Sequence, residues 1–195
     1  MTKHGKIYQD SIKMEDPEQV YSLAEAMDII KSFPPRKFDQ TVDGVFRLGV
    51  DPRKAEQMVR GTVALPHGTG RSVRVAVFAE GDAARAAQEA GADVVGGQDL
   101  VTRVEGGFLD FDIAISTPEL MAQVGKLGRA LGPRGLMPNP KTGTVTPDVG
   151  KAVSDFKAGK VEYRTDRNGN VHVSIGKLSF SAEKLADNFR AVLDE

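Results

Sequence analysis

The apolar residues of this chain change their period twice, and that change limits what it can fold into. Over 38–50, Phe38, Val42, Phe46, Leu48 and Val50, with Gly44 in the same series, alternate with polar residues. That pattern predicts a strand with one buried and one wet face. Over 73–79, Val73, Val75, Ala76, Val77, Phe78 and Ala79 form a nearly continuous apolar run, which predicts a buried strand. Alternation returns after 160: Val161, Tyr163 and Thr165 lead into Asn168-Gly169, and Val171, Val173 and Ile175 lead away, predicting a hairpin about a tight turn. The half-buried strands at the two ends are alike in kind and unlike the strands between them. The simplest architecture is a discontinuous α+β outer domain with a mainly antiparallel sheet, 1–66 and 160–195, interrupted by an inserted Rossmann-like three-layer α/β/α domain, 67–159. The crossings at Pro66, His67, Gly68 and Gly159 are then the expected hinge.

Helical signals fill in the remainder. Val20, Leu23, Ala24, Met27 and Ile30 recur at helical spacing until Phe33-Pro34-Pro35 stops them. Asp51-Pro52 reads as a cap and first-turn proline for a short helix over 53–59. Gly81-Asp82 opens an alanine-rich helix that closes at Gly91, and the strand-like Asp93-Val94-Val95 completes a parallel-sheet unit. A second buried strand over 111–115 is followed by Ser116-Thr117-Pro118-Glu119, a helix start with capping hydroxyls. The last helix begins at Ser181, with Leu185, Phe189, Val192 and Leu193 on one stripe.

Composition narrows function. At 195 residues and 40% hydrophobic content the chain can fill real cores. It has no cysteine and three histidines, which removes thiolate chemistry and leaves little for metal binding, so neither metal nor cofactor is expected. No apolar run approaches the roughly 18 residues of a membrane span, and Met1-Thr2-Lys3-His4-Gly5-Lys6 leads into no apolar signal segment, so the expectation is a cytoplasmic protein without a membrane partner. The formal net charge of -1 hides a polarised distribution: 78–124 holds nine acids against two bases, whereas 125–141 holds four cations and no acid.

An enzyme reading fails residue by residue. Glu80-Gly81-Asp82-Ala83-Ala84-Arg85 offers one glycine and two acids where a dinucleotide pyrophosphate needs glycines, and no phosphate-binding loop ending in Lys-Ser or Lys-Thr occurs. Asp110 and Asp112 share one face of a strand start but read as solvated charges. His67 reads as a hinge residue bonded to backbone. There is no catalytic set, although a nucleotide-dependent enzyme and a protein adaptor using the acidic face stand as alternatives.

Three places suit a polyanion. The segment 125–141 has too many glycines and prolines for a regular element, so it is expected to be a structureless, shape-fixed loop presenting Lys126, Arg129, Arg134 and Lys141; mere solubility of a long loop is the competing reading. Arg36-Lys37-Phe38 sets two cations beside an aromatic, suited to phosphate contact and base stacking, while Phe38 reads equally well as the first core residue of its strand. Around the turn after 160 lie Arg164, Asp166, Arg167 and His172, where Arg164 and Asp166 could be only a surface pair.

The wording Gly-Lys-Leu-Gly-Arg at 125–129 and Leu-Gly-Pro-Arg-Gly-Leu-Met-Pro-Asn-Pro at 131–140 resembles the signature of the large-ribosomal-subunit protein one family. So do Leu48-Gly49-Val50-Asp51-Pro52-Arg53-Lys54, Leu65-Pro66-His67-Gly68-Thr69-Gly70, Gly91-Ala92-Asp93-Val94-Val95-Gly96-Gly97 and Ile175-Gly176-Lys177, so the likeness covers nearly the whole chain. The resemblance implies a non-enzymatic protein of the bacterial large subunit with the same split two-domain form. It implies an outer domain that grips the stalk of large-subunit rRNA through Lys37, Phe38, Thr41, Arg164, Asp166, Arg167 and His172. Further implied partners are exit-site tRNA and the protein's own mRNA, whose translation it would repress; the protein would be monomeric within the ribosome. Lys126, Arg129, Arg134 and Lys141 become candidates for a secondary RNA or tRNA contact. One departure stands out: family members continue past the final helix into a strand and a Thr-Met-Gly-Pro segment that belongs to the rRNA contact, whereas this sequence stops at Leu193-Asp194-Glu195.

Overall fold

The computed structural model of the protein describes residues 5–34 and 36–195; Met1-Thr2-Lys3-His4 and Pro35, to which the signal-segment and helix-stop readings extended, lie outside the described residues. Helix α1 (Lys6–Ser11) precedes α2 (Leu23–Ser32). A capping box starts α2: the Ser22 hydroxyl accepts from the Glu25 amide at 3.4 Å while the Glu25 carboxylate accepts from the Ser22 amide at 2.8 Å. Val20, counted into the helical stripe from its spacing, precedes this cap and is 94% exposed.

Strand β1 (Thr41–Arg47) pairs antiparallel with β7 (Asn170–Lys177), and β2 (Arg60–Ala64) with β6 (Lys160–Arg164). The expected hairpin between the arms at 160–176 is corrected by this pairing. The arms meet at a single bridge, Thr165 to Val171, closed by the Asp166 amide donating to the Asn170 carbonyl at 2.7 Å. Beyond it each arm takes a partner from the start of the chain. The inward side chains of β1 and β7, Val42 and Ile175, join Met27 of α2 and Leu185 and Ala186 of α8 (Ala182–Asp194) in one core, a burial no isolated hairpin supplies. The helix expected over 53–59 shrinks to a 3-10 turn at Ala55–Gln57, because the Asp51 carboxylate and the Gln57 side chain hold the local backbone in a turn at 3.1 and 2.8 Å. Strand β2 follows and had no period-2 signal long enough to read.

The middle of the chain is a parallel sheet ordered β4-β3-β5, from β3 (Val75–Phe78), β4 (Val94–Gly96) and β5 (Ile113–Ser116). All four β3 side chains are fully buried, as a continuous apolar strand requires, and alternate between two cores. Val75 and Val77 pack with α3 (Gly81–Glu89) and α7 (Val149–Ala158) through Ala87, Val153 and Phe156. Ala76 and Phe78 pack with α4 (Gln98–Glu105), α5 (Met121–Val124) and α6 (Gly128–Leu131) through Leu100, Val104, Val124 and Leu131. Complete burial of a side chain such as Phe78 stabilises by about 1.5–3 kcal/mol, and Phe78→Ala would cost about 3–5 kcal/mol once its cavity is included. The hydroxyls of Ser116 and Thr117 do not cap α5, which starts only after Leu120.

Residues 121–134 overturn the expectation of a structureless loop. They run as α5, a 3-10 turn at Gly125–Leu127, α6 and a second 3-10 turn at Gly132–Arg134. Val124, Leu127 and Leu131, spaced i, i+3, i+7, are buried and hold these turns against the sheet. Gly125, Gly128 and Gly132 sit at ordinary helical φ of -56°, -52° and -58°, and the series ends at Gly135 with φ 72°.

The two crossings between the antiparallel strands and the parallel sheet lie side by side. Leu65 donates to the Gly159 carbonyl at 3.3 Å, and a Cβ on Gly159, whose φ is 115°, would stand 2.5 Å from the Gly68 Cα. Asn188 of α8 is wholly buried beneath them; its amide accepts from the His67 backbone at 3.0 Å and donates to the carbonyls of Gly68 at 2.9 Å and Ile175 at 2.7 Å.

Candidate nucleic-acid interface

The outward face of the β1–β7 pair carries Thr41, Val45, His172, Ser174 and Lys177. A register shift after Val42 and two consecutive inward residues, Ile175 and Gly176, turn Lys177 to this face, where its ammonium donates to the Thr41 hydroxyl at 2.8 Å. The segment ahead of β1 is pinned by Asp39, whose carboxylate accepts from the Ser179 amide at 3.0 Å and hydroxyl at 2.7 Å. Lys37 and Phe38 project from this pinned segment. Phe38 is 69% exposed, which decides against its being a core residue.

Asp166 organises the turn between β6 and β7. One oxygen accepts from the amides of Asn168 and Asn170, both at 2.8 Å, and the other pairs with His172 at 3.3 Å. The Asn170 amide, with that of Asn168 next, holds its carboxyl below the usual range, so it stays charged and orients His172. Asp166 therefore does not pair with Arg164. Arg164, Arg167 and Lys37 are exposed and have no carboxylate partner among the described residues.

On the parallel-sheet side, Lys126, Arg129, Arg134 and Lys141 are all exposed and likewise without an ion pair among the described residues. Lys126 and Arg129 stand on the solvent side of the helical turns, opposite Leu127 and Leu131, and Lys141 sits in a 3-10 turn capped by Asn139 at 2.8 Å. A cleft of about 560 Å³ brings Arg134 opposite Thr41, Arg164 and His172, whereas Lys37, Phe38, Asp166, Arg167, Lys126, Arg129 and Lys141 are not in its lining.

Asp110 and Asp112 are not merely solvated: Arg74 pairs with both and Arg71 with Asp112 at 3.0 Å. The His67 ring meets the Asp187 carboxylate at 3.2 Å instead of backbone. Sequence reasoning missed Ser174 and Lys177. Ser174 lies two residues from His172 and was readable by alternation; Lys177 depends on an irregularity that periodicity does not report.

Residues 30–195 match the family described as Ribosomal protein L1p/L10e. The chain belongs to this family. Among its relatives are proteins named large ribosomal subunit protein uL1 from Mycobacteroides abscessus, 59% identical over 195 residues, and from Cutibacterium acnes, 60% identical over 193 residues; these cover 100% and 99% of this chain and 83% of each relative. The Bifidobacterium longum protein of the same name is 58% identical, with 85% of its length covered. As a member of the Ribosomal protein L1p/L10e family the chain is not an enzyme, and the nucleotide-dependent enzyme alternative falls.

Proposed function

We propose that this protein is a structural constituent of the cytoplasmic large ribosomal subunit and binds the stalk region of its rRNA. Family membership supports the ribosomal assignment, and the observation that carries the RNA reading is the outward face beside β1: Phe38 is exposed directly after Arg36 and Lys37, and Lys37, Arg164 and Arg167 have no carboxylate partner among the described residues. Exposed cations meet phosphates, and an exposed ring offers a stacking surface to an unpaired base. His172, Thr41 and the turn ordered by Asp166 complete the face. In this reading 1–66 with 160–195 forms the RNA-binding domain and 67–159 an inserted domain, the crossings at Pro66, His67, Gly68 and Gly159 joining them.

Lys126, Arg129, Arg134 and Lys141 form a secondary contact with exit-site tRNA or neighbouring rRNA, and the same outward face recognises the protein's own mRNA where that RNA imitates the stalk. The test is titration of a stalk rRNA fragment at several salt concentrations. Affinity falls steeply with salt, and Lys37→Ala and Arg164→Ala each weaken binding and reduce the salt slope by about 1. Binding insensitive to salt and to both substitutions would overturn the assignment.

A further inference from the structure

We propose that the cleft between the antiparallel strands and the parallel sheet is a binding site for a single nucleotide, its phosphates held by Arg134, Arg164 and Lys177 and its base laid against Leu136 and Met137. The volume of about 560 Å³ lies within the roughly 300–1,000 Å³ range of small-ligand sites, and the space does not admit a duplex.

Charge selects the ligand's sign. The lining holds five Lys and Arg side chains against two carboxylates, a local excess of three positive charges in a chain whose formal total is -1. Both carboxylates are already engaged: Asp112 by Arg71 at 3.0 Å and Glu162 by Arg60 at 2.6 Å. Lys160 leans to Asp155 at 3.8 Å. Arg134, Arg164 and Lys177 are left without a carboxylate among the described residues, and Lys177 meets only the Thr41 hydroxyl. Three uncompensated cations around one partly enclosed space repel one another, and a phosphate chain relieves that repulsion while matching the two guanidinium forks.

The apolar wall selects what the phosphate carries. Leu136 and Met137 are only partly buried, and Val73, Ile113, Val161 and Tyr163 also line the cleft. A flat base covers such a wall and a methionine adapts to its face, with the Tyr163 hydroxyl left for a polar edge. The cleft meets the parallel sheet at Val73 and Asp112, before β3 and β5, and so lies away from the strand ends after Phe78 where sheets of this type bind nucleotides and where Glu80 and Asp82 oppose them. The nucleotide can be free or an unstacked residue of RNA, and the chemistry is the same.

The experiment titrates the full chain calorimetrically with GTP, with inorganic tripolyphosphate and with a single-stranded RNA trinucleotide. GTP, the trinucleotide or both are expected to saturate at one equivalent, at least about tenfold tighter than tripolyphosphate. Binding of GTP alone assigns a free nucleotide; binding of the trinucleotide alone assigns an RNA-borne one when Phe38→Ala leaves it within about twofold, and overturns the cleft when Phe38→Ala abolishes it. Arg134→Ala with Lys177→Ala should weaken the tight ligand by about tenfold or more, while Lys184→Ala, removing an exposed cation on α8, leaves it within about twofold. If the double variant unfolds, methyl-labelled wild type replaces it: the Met137 methyl signal should shift with ligand and that of the exposed Met58 should not. Failure of both nucleotides to saturate, equal affinity for tripolyphosphate, or equal sensitivity to Lys184→Ala would overturn the proposal. The rRNA reading is judged separately by Phe38→Ala, outside the cleft, which should weaken the stalk fragment and spare GTP.

Discussion

The Asn188 side chain donates to the carbonyl of Gly68 at 2.9 Å across 120 positions of sequence. With its bonds to His67 and Ile175 the amide uses donors and acceptor together, tying a crossing to the last helix and to β7. Asn188→Ala should leave a buried N–H and two carbonyls unsatisfied and lower stability by about 2–4 kcal/mol, read from the urea midpoint. Asn188→Asp should be at least as damaging, since it sets an acceptor against two carbonyls; a change within about 0.5 kcal/mol for either would refute this role.

Gly159 is constrained twice, by its left-handed φ of 115° and by the Gly68 backbone 2.5 Å from where a Cβ would stand. Gly159→Ala is therefore expected to cost about 2 kcal/mol or more in thermal or urea unfolding. Gly91→Ala is the useful comparison. Its φ is 87° with nothing near the added carbon, so it should lose only the backbone part of that penalty.

Phe38→Ala separates binding from folding. The ring is 69% exposed, so stability should stay within about 0.5 kcal/mol, while affinity for the stalk rRNA fragment drops by about 1–3 kcal/mol through lost stacking. Equal affinity of wild type and variant in a filter-binding titration would remove Phe38 from the interface.

Asp93 links acid stability to the parallel sheet. The Val75 amide at 2.8 Å and then the Lys157 ammonium at 3.1 Å hold its carboxyl below the usual range, against the opposing effect of burial. A depressed folded value means that the unfolded chain takes up the proton first as pH falls. The stabilising contribution is complete above the ordinary Asp value and is lost below about pH 4 as the pH drops through the folded value. Asp93→Asn should lower the melting temperature at neutral pH and flatten its decline below pH 4; an unchanged acid slope would contradict the assignment.

Gly128 has helical φ and open space around the position of a Cβ. Gly128→Ala should therefore raise stability by about 0.5–1 kcal/mol, since alanine loses less backbone entropy on entering a helical turn. A destabilised variant in thermal unfolding would show that an unseen contact requires the glycine.

That same glycine shows where sequence reading stopped. Its count of glycines and prolines made 125–141 look structureless, yet Val124, Leu127 and Leu131 carry the apolar spacing that folds most of it. The strand at Val75–Phe78 was legible because complete burial leaves a continuous run, and the start of the last helix because Ser181 is a capping residue. Partnership was less legible. The alternation in 160–176 was real, but a turn of positive φ at Gly169 does not tell whether its arms pair with each other or with strands far upstream. Among the candidate site residues, exposure of Phe38 had to be seen, because the first residue of an alternating series looks the same whether it faces core or solvent.

The pairing of Thr41 with Lys177 and of Ala64 with Lys160 has a consequence for synthesis. A chain made from its N-terminus presents β1 and β2 before either complement exists, and the parallel sheet between them can close while they wait. Their edges stay unpaired until the segment after 160 has left the translating machine, a delay in which such edges invite pairing with other chains. The order of manufacture thus sets a vulnerable interval for this protein, one that lasts until β6 and β7 arrive.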